Sequence, residues 1–201
     1  MRQDNEAILV IDVQKDFCPG GALAVPGGDE IVVPISALVP EFKVRVFTQD
    51  WHPANHMSFA SQHQGLDPFA VTEMPYGTQV LWPDHCVIGS RGAAFHGRLD
   101  TRAADIVIRK GFRREIDSYS AFFENDRSTS TGLDGYLRSR GVERVTLVGL
   151  ATDFCVNYSA LDAAGLGYDV TVIESLCRAI DLEGSLASAR KSMSDAGVTL
   201  A

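Results

Sequence analysis

Four short runs of Val, Ile and Leu punctuate this chain, none alternating with polar residues, and each ends on a residue capable of chemistry. Ala7–Ile11 runs into Asp12, and Val44–Gln49 into Asp50. Ile106–Ile108 leads to Arg109 and Lys110, and Val145–Leu150 leads through Ala151-Thr152-Asp153-Phe154 to Cys155. An apolar run of this length without alternation suits a strand buried on both faces, the habit of parallel sheets covered by helices. In open α/β sheets ligands bind in the crevice outside the carboxyl ends of the strands. The pattern therefore predicts that Asp12, Asp50, Lys110 and Cys155 converge on one rim.

Helix-like segments alternate with the runs from end to end, so the expected fold is α/β: a single doubly wound domain, residues 1–201, with a mostly parallel central sheet. Helices are expected within Asp29–Phe42, with Pro34 in the first turn or at a kink, and over Thr131–Arg140, Cys155–Ala164 and Leu182–Ala196. The last three are closed by Gly141, Gly165 and Gly197. Tyr168–Ile173 reads as a fifth buried strand and Val198–Leu200 as a short last one. The Gly- and Pro-rich segment Pro53–His96 reads as long functional loops with short helical pieces.

A length of 201 residues with 45% hydrophobic and 22% charged content is enough for one sizeable core. The net charge of -8 argues against the basic face that nucleic acid requires and against an anionic membrane surface. It leaves a small neutral substrate open. The opening MRQDNEAILVID has the form of neither a signal peptide nor a membrane span. Cys18, Cys86, Cys155 and Cys177 are widely spaced without a CxxC pair, so reduced thiols in the cytoplasm are expected.

Cys155 is the candidate nucleophile. Placed at a helix start, its thiol would be acidified by the N-terminal N–H groups, which could also hold an oxyanion. Asp12 is the candidate base, able to take the thiol proton and return it to a leaving amine. Lys110 is the candidate cation that holds Asp12 ionised and favours the thiolate. Each alone has an ordinary alternative: a buried thiol, a turn aspartate, a solvated lysine. Asp50 and His52, two apart in extended chain, can reach one ion. His56 and His85 follow, and carboxylate with imidazole suits zinc, iron or manganese. For His85 to join them, the long loop must fold back onto the rim. His63 and His96 read as structural. Phe17, Trp51, Trp82 and Tyr119 crowd the same stretches and would suit the walls around a flat aromatic substrate.

The stretches DVQKDFCPGGALAVPGGDEI, TQDWHPANHMSFA, LWPDHCVIGSRGAAFH, KGFRREIDSYSAFFEND, TGLDGYL and GLATDFCVNYSALDA, in this order, cover most of the chain. Together they resemble the nicotinamidase/pyrazinamidase branch of the isochorismatase-like cysteine hydrolases. One departure is Ile88, where similar sequences commonly carry Gln.

The resemblance implies the isochorismatase-like hydrolase fold and a catalytic triad of Asp12, Lys110 and Cys155. It implies an oxyanion hole from the backbone N–H groups of Ala151 and Cys155, with a cis peptide before Ala151. Phe17, Trp82 and Tyr119 would bind the substrate. One divalent metal ion, zinc first and otherwise iron or manganese, would be held by Asp50, His52 and His85; His56 would be a further ligand or an outer support. The implied reaction is hydrolysis of nicotinamide to nicotinate and ammonia through a cysteine thioester, in NAD salvage. The expected partner is that small molecule, with no nucleic acid and no membrane; a homo-oligomer is compatible with the sequence. Two other readings stand beside this one. The first is a metal-independent amidase for another small amide such as an N-carbamoyl compound, and the second a non-catalytic metal-binding or redox-sensing protein using Cys155.

Overall fold

The computed structural model describes residues 3–201. In chain order its elements are β1 (Glu6–Ile11), α1 (Val32–Leu38), β2 (Val44–Asp50), β3 (Val71–Met74), β4 (Gly77–Val80), β5 (Ile106–Lys110), α2 (Leu133–Ser139), β6 (Arg144–Leu150), α3 (Asn157–Gly165), β7 (Asp169–Arg178), α4 (Ser185–Asp195) and β8 (Thr199–Leu200). Six strands form one sheet in the order β5-β2-β1-β6-β7-β8, and every neighbouring pair is parallel. The chain winds outward from β1 through β2 to β5, then crosses to the other side of β1 and winds outward again through β6, β7 and β8. The reversal opens a crevice at the carboxyl ends of β1 and β6, the switch point where such sheets bind ligands.

All six residues of β1 are buried, as the unbroken apolar run predicts for a central strand. At the edge the prediction weakens: in β5 burial alternates, and Val107 is 40% exposed, because no strand covers that side. β1 and β6 come unusually close where Gly149, at φ +122°, faces the backbone of Ile11. A Cβ there would meet the Ile11 carbonyl oxygen at 2.1 Å, so only glycine fits. The switch-point strands are thereby held together next to the site.

Several boundaries differ from the sequence expectation. Cys155 precedes α3 and lies inside a π-helical turn, Thr152–Val156, so the helical path begins before the thiol rather than at it. The segment expected as a helix over Leu182–Ala196 is broken at Glu183 and Gly184, both with positive φ, and α4 starts at Ser185. Pro34 sits in the first turn of α1 as expected. β7 extends to Arg178, beyond Ile173. The segment Pro53–His96, expected as loops with short helical pieces, contains an antiparallel hairpin, β3–β4.

Candidate active site

The sheet register dictates the centre of the site. Asp50 and Lys110 are direct ladder partners at the ends of β2 and β5, and Asp12 follows the end of β1 with φ 47°, a conformation aspartate tolerates better than most residues. Thr48 holds Asp12 twice: its hydroxyl donates to Asp12 Oδ1 at 2.6 Å and accepts the Asp12 N–H at 3.1 Å. Lys110 is fully buried. Its ammonium lies 2.8 Å from Asp12 Oδ2, pairs with Asp50 Oδ1, donates to the Ser118 carbonyl at 2.8 Å and reaches Cys155 Sγ at 3.4 Å. Oxygens of Asp12 and Asp50 and the sulfur of Cys155 lie within 4.8 Å of one another. A solvated lysine or a turn aspartate is thus ruled out by burial and pairing.

Burial governs the electrostatics. It would strip the Lys110 proton, but Asp12, Asp50 and Cys155 outweigh it and hold the ammonium well above the usual lysine range. Burial raises the Asp12 carboxyl; Lys110 opposes the rise and Asp50 adds to it. Burial would raise Asp50 too, yet Lys110, His52 and His85 keep it well below the usual carboxylate range. The Cys155 thiol is pushed well up by burial, with Lys110 pulling down and the two carboxylates pushing up. Lys110 thus acts in the expected direction, but burial and the carboxylates outweigh it, so the expected acidified thiol is not found. At rest the thiol keeps its proton beside a carboxylate of raised basicity.

The long loop does fold back onto the rim. His52 N–H donates to the Cys86 carbonyl at 3.0 Å and Ile88 N–H to the His52 carbonyl at 2.8 Å, a parallel bridge that extends the sheet and carries His85 in. Asp50 Oδ2, the oxygen turned away from Lys110, lies 3.6 Å from His52 Nε2 and 3.8 Å from His85 Nε2. His52 Nδ1 donates to the Gly111 carbonyl and His85 Nδ1 to the Pro83 carbonyl, each at 2.8 Å. Carbonyls only accept, so both rings carry a proton on Nδ1, which leaves Nε2 beside the same carboxylate oxygen as the atom each ring could offer to an ion. That N, N, O donor set fits a divalent ion. Gly111 permits it: a Cβ there would sit 2.4 Å from the His52 ring.

His52, His56 and Asp117 form a second trio within 4.8 Å. His56 is already committed, its Nδ1 accepting from the Ser58 hydroxyl at 2.7 Å and its Nε2 donating to the Ile116 carbonyl at 3.2 Å. Burial and the neighbouring His52 push His56 down to about 4, so it is neutral near pH 7.

Phe17, Trp82, Tyr119, Phe154 and Ile180 wall a cavity whose floor carries Ala151, Cys155, Asp50 and His85, with Leu23 and Asp117 at its sides. Trp82 stands edge-to-face on Phe154 at 4.9 Å between centroids, and Tyr119 on Phe154 at 5.7 Å. The peptide between Leu150 and Ala151 is cis, as the resemblance implies. Trp51 is not part of this cavity. As the residue between Asp50 and His52 it faces the other way, under the Arg109 guanidinium at 4.0 Å. Ile88 is largely exposed, away from the cavity. Sequence reasoning misses Leu23, Asp117, Phe154 and Ile180 as cavity residues. For Phe154 a signal existed, its adjacency to Cys155; the others carry none.

Residues 6–201 match the isochorismatase domain family. The chain belongs to the isochorismatase family. Among the members it resembles is a nicotinamidase of Acinetobacter baylyi, 54% identical over 199 residues that cover 98% of this chain and 93% of the relative. A solved nicotinamidase/pyrazinamidase of Acinetobacter baumannii is 50% identical, with a TM-score of 0.98 over 100% of this chain and 97% of the other. A pyrazinamidase of Pyrococcus horikoshii, solved in complex with zinc, is 34% identical, with a TM-score of 0.79 over 98% of each chain. The six-stranded parallel sheet with its flanking helices is the fold of these isochorismatase-family neighbours. Among the described residues, no helix is long and apolar enough to cross a membrane.

Proposed function

We propose that this isochorismatase-family chain, acting as one domain, hydrolyses nicotinamide to nicotinate and ammonia and so serves NAD salvage. The observation that carries the reading is the buried Lys110 ammonium, 2.8 Å from Asp12 and 3.4 Å from Cys155, the thiol that lines an aromatic cavity. Similarity to nicotinamidases supports it.

In this mechanism Asp12 takes the Cys155 proton as sulfur attacks the carboxamide carbon; its raised basicity suits that task. Lys110 stays protonated, offsets the charge of Asp12 and Asp50, and steadies the forming anion. The backbone N–H groups of Ala151 and Cys155 hold the oxyanion. Asp12 then gives the proton to the departing nitrogen, the C–N bond breaks, ammonia leaves, and a thioester remains. Water attacks the thioester with Asp12 again as base, and nicotinate leaves as sulfur regains its proton. Phe17, Trp82 and Tyr119 clasp the ring. Asp50, His52 and His85 would hold one divalent ion, zinc by analogy with the Pyrococcus protein. That ion would supply a Lewis-acid anchor for the ring nitrogen. Four unpaired, buried cysteines favour a reducing cytoplasmic setting.

Ammonia release by the purified protein, with nicotinamide set against a panel of amides, tests the reading. Rapid turnover of nicotinamide is expected. Turnover of an N-carbamoyl compound with none of nicotinamide would replace it by the other amidase, and no ammonia from any amide would leave a binding or sensing protein.

A further inference from the structure

Seven of the eight strand residues of the β3–β4 hairpin are exposed or half-buried, yet Gln79 in β4 is 1% exposed. It does not line the catalytic cavity. Its side-chain NH2 lies 2.8 Å from Tyr119 Oη, 2.8 Å from Asp117 Oδ2 and 2.7 Å from the Val80 carbonyl. Its side-chain oxygen accepts from the Tyr76 hydroxyl at 3.1 Å and from Asn125 Nδ2 at 3.3 Å. Tyr119 Oη receives a second N–H, from Trp82 Nε1 at 3.1 Å. Tyr119, Trp82 and Asp117 all face the cavity. One buried amide therefore holds two of these residues directly, and Trp82 through Tyr119. The Gln79 amide has two N–H groups for three acceptors within reach; the one turned to Tyr119 Oη, with the Trp82 N–H, fills that oxygen's acceptor positions and fixes the ring. In a site closed to water, losing one of them leaves partners unsatisfied and the wall free to shift.

We propose that Gln79 is a positioning residue that sets the Tyr119–Trp82 wall and thereby the affinity for the aromatic amide, resting on the amidase reading of this site. It touches neither the nucleophile nor the base, so its contribution falls on substrate binding and not on the bond-breaking steps. The uniform-binding signature is a raised KM with kcat preserved.

Gln79→Met keeps the length of the side chain and removes its hydrogen bonds. We expect KM for nicotinamide to rise about tenfold with kcat within about twofold. Tyr119→Phe should raise KM comparably, and Gln79→Met should add less than its own single effect in that background, because the Gln79–Tyr119 bond is already gone. A readout free of catalysis accompanies this. The chain has two tryptophans, so the Trp82 indole N–H resonance can be assigned with Trp51→Phe, and it should move in ligand-free Gln79→Met. An unchanged KM, a fall in kcat at constant KM, additive effects in the double variant, or an unmoved indole resonance would overturn the proposal. Should Gln79→Met fail to fold, Tyr76→Phe loosens the same amide from its outer side; a twofold to threefold rise in KM is expected, roughly the value of one exposed-side bond, and no rise would count against it. A wild-type protein inactive on nicotinamide would sink the amidase reading alone, and the indole resonance would still decide this one.

Discussion

The rim and the loop that crowns it are built in different ways. On the rim, Asp12, Asp50, Lys110 and Cys155 stand at or just beyond the ends of β1, β2, β5 and β6, and the sheet ladder sets their spacing; Asp50 and Lys110 face each other as register partners. In the crown, Trp82 and His85 lie on irregular chain, held by two isolated bridges at His52–Val87 and Phe59–Trp82 and by side-chain hydrogen bonds. A continuous sheet ladder thus places the groups that would make and break bonds, whereas isolated bridges and side-chain hydrogen bonds place those that would recognise the ring. A change on the rim should act on chemistry or folding, and one in the crown on recognition.

The hardest blow to the rim side of that division is Cys155→Ala. Without the sulfur no thioester forms, and ammonia release should fall below detection, by at least about 10⁴-fold, while the protein stays folded. Activity within tenfold of wild type would break the comparison at its root. Cys18→Ala, Cys86→Ala and Cys177→Ala should keep substantial activity, since these thiols lie outside the cavity.

Asp12 and Lys110 sharpen the comparison because the rim gives them unequal structural duties. Asp12→Asn keeps the shape and the Thr48 contact but cannot take a proton, so activity should drop by at least roughly 10²-fold. Its stability should hold: burial disfavours the Asp12 charge, and Asp50 still pairs with Lys110. Lys110→Met strips the cation from two buried carboxylates at once. It should lose activity and also roughly 3–5 kcal/mol of stability, the usual cost of an uncompensated buried charge. Chemical denaturation of both variants checks this; equal stability losses would show that Lys110 is not the keystone of the cluster.

The same division explains what could be read from the sequence. A strand buried on both faces writes itself as a continuous apolar run, so β1, β2 and β6 and the residues at their ends were legible. The thiol's raised basicity was not, because it depends on complete burial beside two carboxylates, which no local pattern records. The β3–β4 hairpin was hidden by its own exposure: of its two four-residue strands only Gln79 is buried, so no apolar face marks them. Pro75-Tyr76-Gly77, with Gly77 at φ +118°, was the one turn signal present. No local pattern marks Gln79 or Asp117, since Gln79 meets Asp117 and Tyr119 across 38 and 40 residues of chain. Trp51 shows the opposite error: nearness in sequence to Asp50 and His52 suggested a shared cavity that strand alternation forbids.

Substrate choice tests the crown. Nicotinamide and benzamide share ring size and amide, and differ by the ring nitrogen that the Asp50–His52–His85 side would recognise. Benzamide should be turned over at least about 10²-fold less efficiently, a gap of ~2.7 kcal/mol in transition-state binding. Pyrazinamide, which keeps a nitrogen in that position, should be hydrolysed. Comparable kcat/KM for benzamide and nicotinamide would mean that aromatic walls alone orient the amide.

The smallest expected effect lies at His56, where rim and crown meet. Its ring is 4.4 Å from the His52 ring between centroids, close enough to suggest a ligand. Both of its nitrogens are nonetheless engaged, one by Ser58 and one by the Ile116 carbonyl, and ligation would require one of those bonds to break. His52 and His85 have no such conflict, because each hydrogen bond they make from Nδ1 leaves Nε2 open. His52→Ala should therefore weaken zinc retention by at least about 100-fold, and His56→Ala by less than about tenfold, the lower end of what an outer support contributes. Elemental analysis after dialysis of protein purified without a His tag reads both. Equal losses would make His56 a fourth ligand, and would require its ring to turn away from Ile116 when the ion is bound.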